Sequence, residues 1–240
     1  MKEKILLLSC LLIGLNLYSQ NLKGKVTYKI TNKISFNKDT IKDKKIKDIF
    51  SKLLSNSKDD NISFELFFNN KKSHFNYVDK MELDNSTINI LLIDAQNRGS
   101  VFSDYDSKTT LTLFPSEEIL IRDSFSNFNW RITQETKNIG GYICYKAVGE
   151  KNIYRKINNY HKKVNLTAWF SPELSAPVGP AGYGGLPGLI LELTEEGYVK
   201  FYATKISLKN NKKMKSVPRK KILERIDYEK YTREVYLKNQ

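Results

Sequence analysis

Alternation with a period of two is the feature that most restricts what this chain can fold into. Val26, Tyr28 and Ile30 are interleaved with Lys25, Thr27 and Lys29, and Ile62, Phe64, Leu66 and Phe68 repeat the pattern. Successive side chains of a strand point to opposite faces, so such runs bury one face and wet the other. Asn69-Asn70-Lys71-Lys72 then reads as a turn, after which Phe75 and Tyr77 resume the alternation. Further strands are expected over 99–105, 109–114, 118–122, 128–134, 142–148, 164–170, 189–194 and 198–207. Short strands in succession, separated by Asn, Asp, Gly and Lys turns, indicate an antiparallel arrangement. The expected fold is mainly β with minor α: a single curved antiparallel meander sheet or open half-barrel, with one or two helices packed on it.

Two segments break the alternation. Across 39–59, Ile46, Ile49, Phe50, Leu53 and Leu54 fall at helical spacing among lysines, which predicts an amphipathic helix closing one side of the sheet. The basic stretch 210–221 reads as a solvated loop. Beyond it Tyr228, Tyr231 and Val235 predict a short terminal helix with Asp227 as its N-cap.

The first residues have a different character. Lys2 and Lys4 precede an apolar run over 5–17, and Ser19 is a small residue at its exit. That pattern predicts a signal peptide over 1–19 and a mature single domain over 20–240 with a basic C-terminal tail. Leu7-Leu8-Ser9-Cys10 resembles a lipoprotein acylation signal, but the apolar run continues past Cys10, which favours an ordinary signal peptide. Removing it leaves Cys144 as the one cysteine and rules out an intramolecular disulfide. No later run approaches the ~20 apolar residues that a spanning helix needs, so no transmembrane segment is expected after signal cleavage. The expected location is exported, in the periplasm or at the cell surface.

The net charge of +14 raises the question of nucleic acid. The 40 basic residues comprise 33 lysines and 7 arginines, however, whereas base and phosphate recognition favours the planar arginine fork. Dedicated nucleic-acid binding is not expected; attraction to anionic lipid or glycan surfaces is compatible with the charge.

No enzyme signature emerges. Cys144 lies in Tyr142-Ile143-Cys144-Tyr145, which reads as strand, so a buried apolar role is favoured over a nucleophile. His74 and His161 read as surface or turn residues, and with one cysteine they do not make a metal site. The pairs Glu117-Glu118, Glu195-Glu196 and Asp59-Asp60 are sequence neighbours, which in strands face opposite ways. No catalytic residues and no cofactor are expected.

Four of the six prolines (Pro172, Pro177, Pro180 and Pro187) lie among Gly179, Gly182, Gly184, Gly185 and Gly188. Neither helix nor strand tolerates that mixture, whereas a rigid ordered loop does. Trp169, Phe170, Tyr183 and Leu186 are its expected anchors on the sheet. Within it, Gly185-Leu186-Pro187-Gly188-Leu189-Ile190 spells GLPGLI. Together with Trp130-Arg131-Ile132, the 141–147 segment around Cys144, Ala168-Trp169-Phe170 and Gly179-Pro180, it resembles the GLPGLI family of exported bacterial proteins. The resemblance covers roughly 24–208 and implies a Gram-negative envelope protein of unknown biochemical role, with no catalytic or ligand residues to carry over. It implies that the motif positions Gly179, Pro180, Gly185, Leu186, Pro187, Gly188, Leu189 and Ile190 serve the turn, with Trp130, Trp169 and Cys144 serving packing.

Two roles follow. One is non-enzymatic binding of a hydrophobic or amphipathic ligand such as a lipid, or of an outer-membrane partner, on the concave face of a curled sheet. The other is an interaction module working through its basic exterior, its amphipathic segment or a strand edge. A hydrolase with a cryptic site, made of clustered carboxylates beside His74 or His161, is the third alternative.

Overall fold

The computed structural model describes residues 22–33, 43–55, 62–78, 90–115, 118–155, 160–208 and 213–238. Residues 1–21, which include the segment expected to be a signal peptide and Cys10, lie outside them. Twelve strands form one sheet: β1 (Gly24–Asn32), β2 (Ser63–Phe68), β3 (Lys72–Val78), β4 (Ser100–Asp104), β5 (Thr109–Leu113), β6 (Ile119–Ser124), β7 (Arg131–Ile139), β8 (Tyr142–Arg155), β9 (Tyr160–Ser171), β10 (Leu189–Glu195), β11 (Val199–Ser207) and β12 (Lys221–Glu224). Their order across the sheet is β12-β6-β5-β4-β3-β2-β1-β11-β10-β9-β8-β7, with β12 and β7 at its two ends, so the sheet is open. Among the described residues three helices accompany it: α1 (Lys44–Ser55), α2 (Ile90–Asn97) and α3 (Arg225–Lys238).

The expected β-rich open sheet is present, and it is built from two meanders. β2 to β6 and β7 to β11 each run consecutively, and β1 joins them by pairing with β2 on one side and β11 on the other. Local sequence signals explain the tight connections. Asn69 closes the β2–β3 turn, its side-chain oxygen accepting from the N–H groups of Lys71 and Lys72 at 2.9 and 2.8 Å. Gly140 and Gly141, at φ 59° and 90°, supply the two left-handed residues that a two-residue hairpin needs between β7 and β8.

One face carries the core. Val26, Tyr28, Ile30, Ile62, Phe64 and Leu66 are fully buried, as the alternation predicts. Phe64 stacks on Phe75 at 5.0 Å between ring centroids and meets Phe201 edge-on at 5.5 Å. This aromatic cluster fills the middle of the face. Leu91 and Ala95 of α2 are buried against it; no alternation announces that helix, whose Ile90-Leu91-Leu92-Ile93 start is apolar on every side.

Several expectations are corrected. His74 is not a surface residue: it is 1% exposed on β3, stacked on Phe102 at 4.6 Å, with Phe67 and Phe102 as its cross-strand neighbours. Part of the second face is therefore covered too, and Lys215 of the C-terminal stretch acts electrostatically on His74 from that side. The described part of the basic stretch, 213–220, is a loop as expected, but the chain just beyond it adds a strand: 221–224 forms β12, whose pairing with β6 is the one parallel pairing among the described residues. Its charge explains the attachment: Lys220 pairs with Glu118, Arg225 with Asp123, and Arg122 of β6 with Glu224 at 2.7 Å. Asp227 lies inside the first turn of α3, where its charge suits the helix dipole, and is not the N-cap.

α1 starts where Asp43 accepts hydrogen bonds from the N–H groups of Lys45 and Ile46 at 2.8 and 3.3 Å, a true N-cap. Yet Ile46 and Ile49 are 46% and 57% exposed, so they do not close the sheet. The side chains of Phe50, Leu53 and Leu54 lie outside the described residues.

Candidate functional site

The core face does not stay apolar to its margin. Along β8, Ala147 and Gly149 are followed in phase by Lys151; along β10, Leu193 is followed by Glu195; along β6, Ile121 is followed by Asp123. Each charged residue thus points to the side that the apolar residues bury. Arg98, just past the end of α2, and Arg225, at the start of α3, close on the same place. Together these groups line a cleft of about 750 Å³.

The network is specific. Arg98 donates to Glu195 Oε1 at 3.0 Å and Oε2 at 3.4 Å, and through Nε to Asp94 Oδ2 at 2.7 Å. The Asp94–Arg98 pair is four residues apart across the end of α2, the spacing that brings side chains together on one helical face. The guanidinium also lies 4.9 Å from the centroid of the Phe201 ring, which ties the polar site to the aromatic core. The Tyr183 hydroxyl donates to Glu195 Oε1 at 3.0 Å and accepts from Lys151 Nζ at 3.3 Å. On the far wall Arg225 holds Asp123 through two nitrogens.

Burial and charge shift these groups in definite directions. Burial pushes the Glu195 carboxyl up, but Arg98 and Lys151 outweigh it and hold it below the usual range. Burial first, and then the Glu195 charge, drive the Tyr183 phenol well above its ordinary value. Burial depresses the Lys151 amine, with Glu195 opposing and Arg98 assisting. Glu195 is thereby kept as an anion and Tyr183 as a neutral donor, an arrangement suited to holding charge rather than passing protons.

The glycine–proline loop delivers Tyr183. Val178 and Gly184 form an antiparallel bridge around a short 3-10 turn over Pro180–Gly182. Ala181 and Gly182, at φ 52° and 81°, reverse the chain there. The loop's backbone groups are spoken for: Gly179 N–H donates to Tyr183 O at 2.7 Å, Gly185 N–H to Pro177 O at 3.0 Å, and Ile190 N–H to Val178 O at 2.9 Å. At Gly184 a Cβ would stand 2.7 Å from the Pro177 carbonyl oxygen, so the close approach requires glycine. Trp130 caps the same residue, its indole N–H donating to Gly184 O at 2.9 Å. Phe128 lies on Tyr183 at 4.7 Å.

The motif residues therefore gather around this loop. Leu186, Gly188, Leu189 and Ile190 are buried, while Gly185 and Pro187 face outward. Gly179 and Pro180 are buried in the turn, and Tyr28 donates to Ile190 O at 2.6 Å from the centre of the core. Phe170, Tyr183 and Leu186 anchor the loop as expected. Trp169 alternates with Ala168 and Phe170 on β9 and packs against the core cluster from the sheet's other face. There it is half-buried, with the Lys137 ammonium 4.2 Å from its ring centroid. Trp130 is also half-buried, at the core's margin.

Cys144 is fully buried; burial pushes its thiol up to about 11, which keeps it protonated and unreactive. His161 lies on β9 opposite Tyr154, its side chain outside the described residues, and His74 does not line the cleft. Of the carboxylate pairs, Glu195 turns inward and Glu196 outward, where it accepts from Asn165 at 2.8 Å; Glu118 lies by Lys220, while Glu117, Asp59 and Asp60 fall outside the described residues. Among the described residues no group of three or more His, Cys, Asp or Glu side chains could hold a metal ion. No helix among them is long and apolar enough to cross a membrane.

A family model described as a protein of unknown function (Porph_ging) matches residues 149–192. That segment contains Lys151, the whole glycine–proline loop with Tyr183, and most of β10. No curated protein matches the chain. Among solved structures, PNGF-II in two crystal forms superposes with TM-scores of 0.51 and 0.50 at 16% identity, covering 87% of this chain and 32% of that one. The chain therefore spans about a third of the length of PNGF-II, and the likeness bears on the fold alone. LprF from Mycobacterium bovis matches with a TM-score of 0.29 at 10% identity, over 81% of this chain and 89% of that one.

Proposed function

We propose that the chain is an exported GLPGLI-family envelope protein, a single domain over 20–240, that binds the polar end of an amphipathic ligand in the cleft between β6, β8, β10 and α3. The match of a family model of unknown function over 149–192, which includes the hexapeptide 185–190, supports the family reading. The observation that carries the binding reading is the buried Arg98–Glu195–Tyr183–Lys151 network beside an open cleft of about 750 Å³. Desolvated charges gathered beside an open cleft support a recognition role for it. The aromatic cluster of Phe64, Phe75 and Phe201 occupies the middle of the core face, so the ligand's apolar part lies at the rim or outside.

Native mass spectrometry with lipid extraction, on mature protein purified from its own envelope without detergent, tests this. A stoichiometric amphipathic molecule that is lost from a Tyr183→Phe, Glu195→Gln double variant supports the proposal. A protein that emerges empty, or whose bound molecule is indifferent to that variant, refutes it.

A second reading rests on β7. Among the described residues it ends the sheet, pairing only with β8, and Ile132, Ile143 and Tyr145 nearby are exposed. A partner strand could add there. A proline at a β7 position facing away from β8 should abolish capture of an envelope partner and leave ligand binding in the cleft intact.

A further inference from the structure

We infer that the cleft takes the anionic group of its ligand, a carboxylate or a phosphate, and that Lys151 is the residue that anchors it. The inference rests on the ligand-binding reading of the cleft given above. Its basis is a count of which charges there are already committed. Arg98 is shared between Asp94 and Glu195, and Arg225 is held by Asp123. The carboxylates Asp94, Asp123 and Glu195 are consumed by the same contacts, and Glu229, the fourth carboxylate lining the cleft, is not free either. Lys151 differs: among the described residues its one hydrogen bond is to the neutral Tyr183 hydroxyl at 3.3 Å, and no carboxylate oxygen lies within ion-pair distance. Its ammonium otherwise lies 5.1 Å from the centroid of the Tyr183 ring.

An ammonium has three donors and no acceptor, so two remain without a protein partner. The Tyr183 proton is committed to Glu195, which leaves the phenol oxygen to face Lys151 as an acceptor and fixes the amine in place. Burial weighs most against the amine's charge; Glu195 and Asp123 compensate, while Arg98 and Arg225 oppose it. An anion entering beside Lys151 satisfies its free donors and relieves the repulsion from both guanidiniums. A cationic ligand would instead compete with Arg98 and Arg225 for the carboxylates Asp94, Asp123 and Glu195. Thr110, Asn129 and Asn152 also line the cleft and supply neutral hydrogen-bonding groups around the anion.

The test uses calorimetric titration of the mature protein with inorganic phosphate, hexanoate, dihexanoyl phosphatidic acid and the neutral amphiphile hexyl glucoside. The anions should bind the wild type, and Lys151→Met should weaken them roughly tenfold or more, with Lys151→Arg recovering part of the loss. Tighter binding of the phosphatidic acid than of inorganic phosphate identifies a lipid headgroup, and equal binding a free phosphate; either supports the inference. A preference for hexanoate over both phosphates assigns a carboxylate. Should Lys151→Met fail to fold, the wild type carries the test: the bound anion should shield Lys151 from acetic anhydride, read by peptide mass spectrometry, while Lys162 reacts unchanged. Anion binding that Lys151→Met leaves intact, or an unshielded Lys151, overturns the inference. Binding of hexyl glucoside alone overturns it and leaves the cleft reading standing; binding of no probe removes both.

Discussion

Replacing Glu195 by Gln should show how much the fold depends on the charged network. The Glu195 side chain is 7% exposed, accepts from Arg98 at 3.0 and 3.4 Å and from Tyr183 at 3.0 Å, and lies opposite Lys151. Removing one partner of a buried ion pair costs about 3–5 kcal/mol, because the other charge stays buried without compensation. Arg98 retains Asp94 at 2.7 Å, so the low end applies, about 3 kcal/mol at neutral pH. For a chain of this size that lowers Tm by roughly 6–12 °C. Glu196→Gln, at the exposed neighbouring position, should change stability by under about 0.5 kcal/mol. The pH dependence gives an independent check. The folded Glu195 titrates below its ordinary value of 4.5, so its stabilisation is complete above that pH and is lost as pH falls through the lower folded value. The gap between wild type and Glu195→Gln in urea unfolding should therefore narrow between pH 5 and the acid limit. An unchanged Tm at pH 7, or a gap that persists undiminished in acid, would show that the network does not stabilise the fold electrostatically.

Four further outcomes are expected. His74 is buried, and burial, with Lys215 assisting, lowers its pKa from 6.5 to about 4. The unfolded chain takes the proton first, so stability should fall by about 1.4 kcal/mol per pH unit from pH 6.5 down to about 4, a slope that His74→Phe should remove in urea titrations. Gly184→Ala drives a methyl to 2.7 Å from the Pro177 carbonyl oxygen and should cost about 2 kcal/mol with a change in Trp130 fluorescence. Gly141→Ala meets open space and should cost about 1 kcal/mol, for its φ of 90° alone. Ile46→Ser and Ile49→Ser should leave the unfolding free energy within about 0.5 kcal/mol of wild type, since neither side chain is covered; a larger loss in denaturation curves would mean that α1 packs through them.

The strands were legible in the sequence because their signal is local. Val26-Tyr28-Ile30 and Phe64-Leu66-Phe68 announce both strand and buried face, and the observed boundaries fall within a few residues of those expected through most of the sheet. The proline and glycine density marked 172–188 as an ordered loop for the same reason: φ restriction and missing donors belong to the residues themselves. The site was half legible. A charged residue in phase with buried ones, as at Lys151, Asp123 and Glu195, is a pattern present in the sequence, but at the end of a strand it looks the same as a polar boundary.

What the sequence by itself determined is periodicity, turn chemistry and the rigidity of the loop. Tertiary structure decided which strands are neighbours, so β1 beside β11 and β12 beside β6 could not be read from spacing. It also decided that His74 is buried, because its cross-strand neighbours Phe67 and Phe102 come from other strands. The cleft is wholly a product of the fold: Arg98, Lys151, Tyr183 and Glu195 come from α2's end, two strands and a loop. An ion pair depends on distance in space, and alternation along one strand specifies only which way a side chain points.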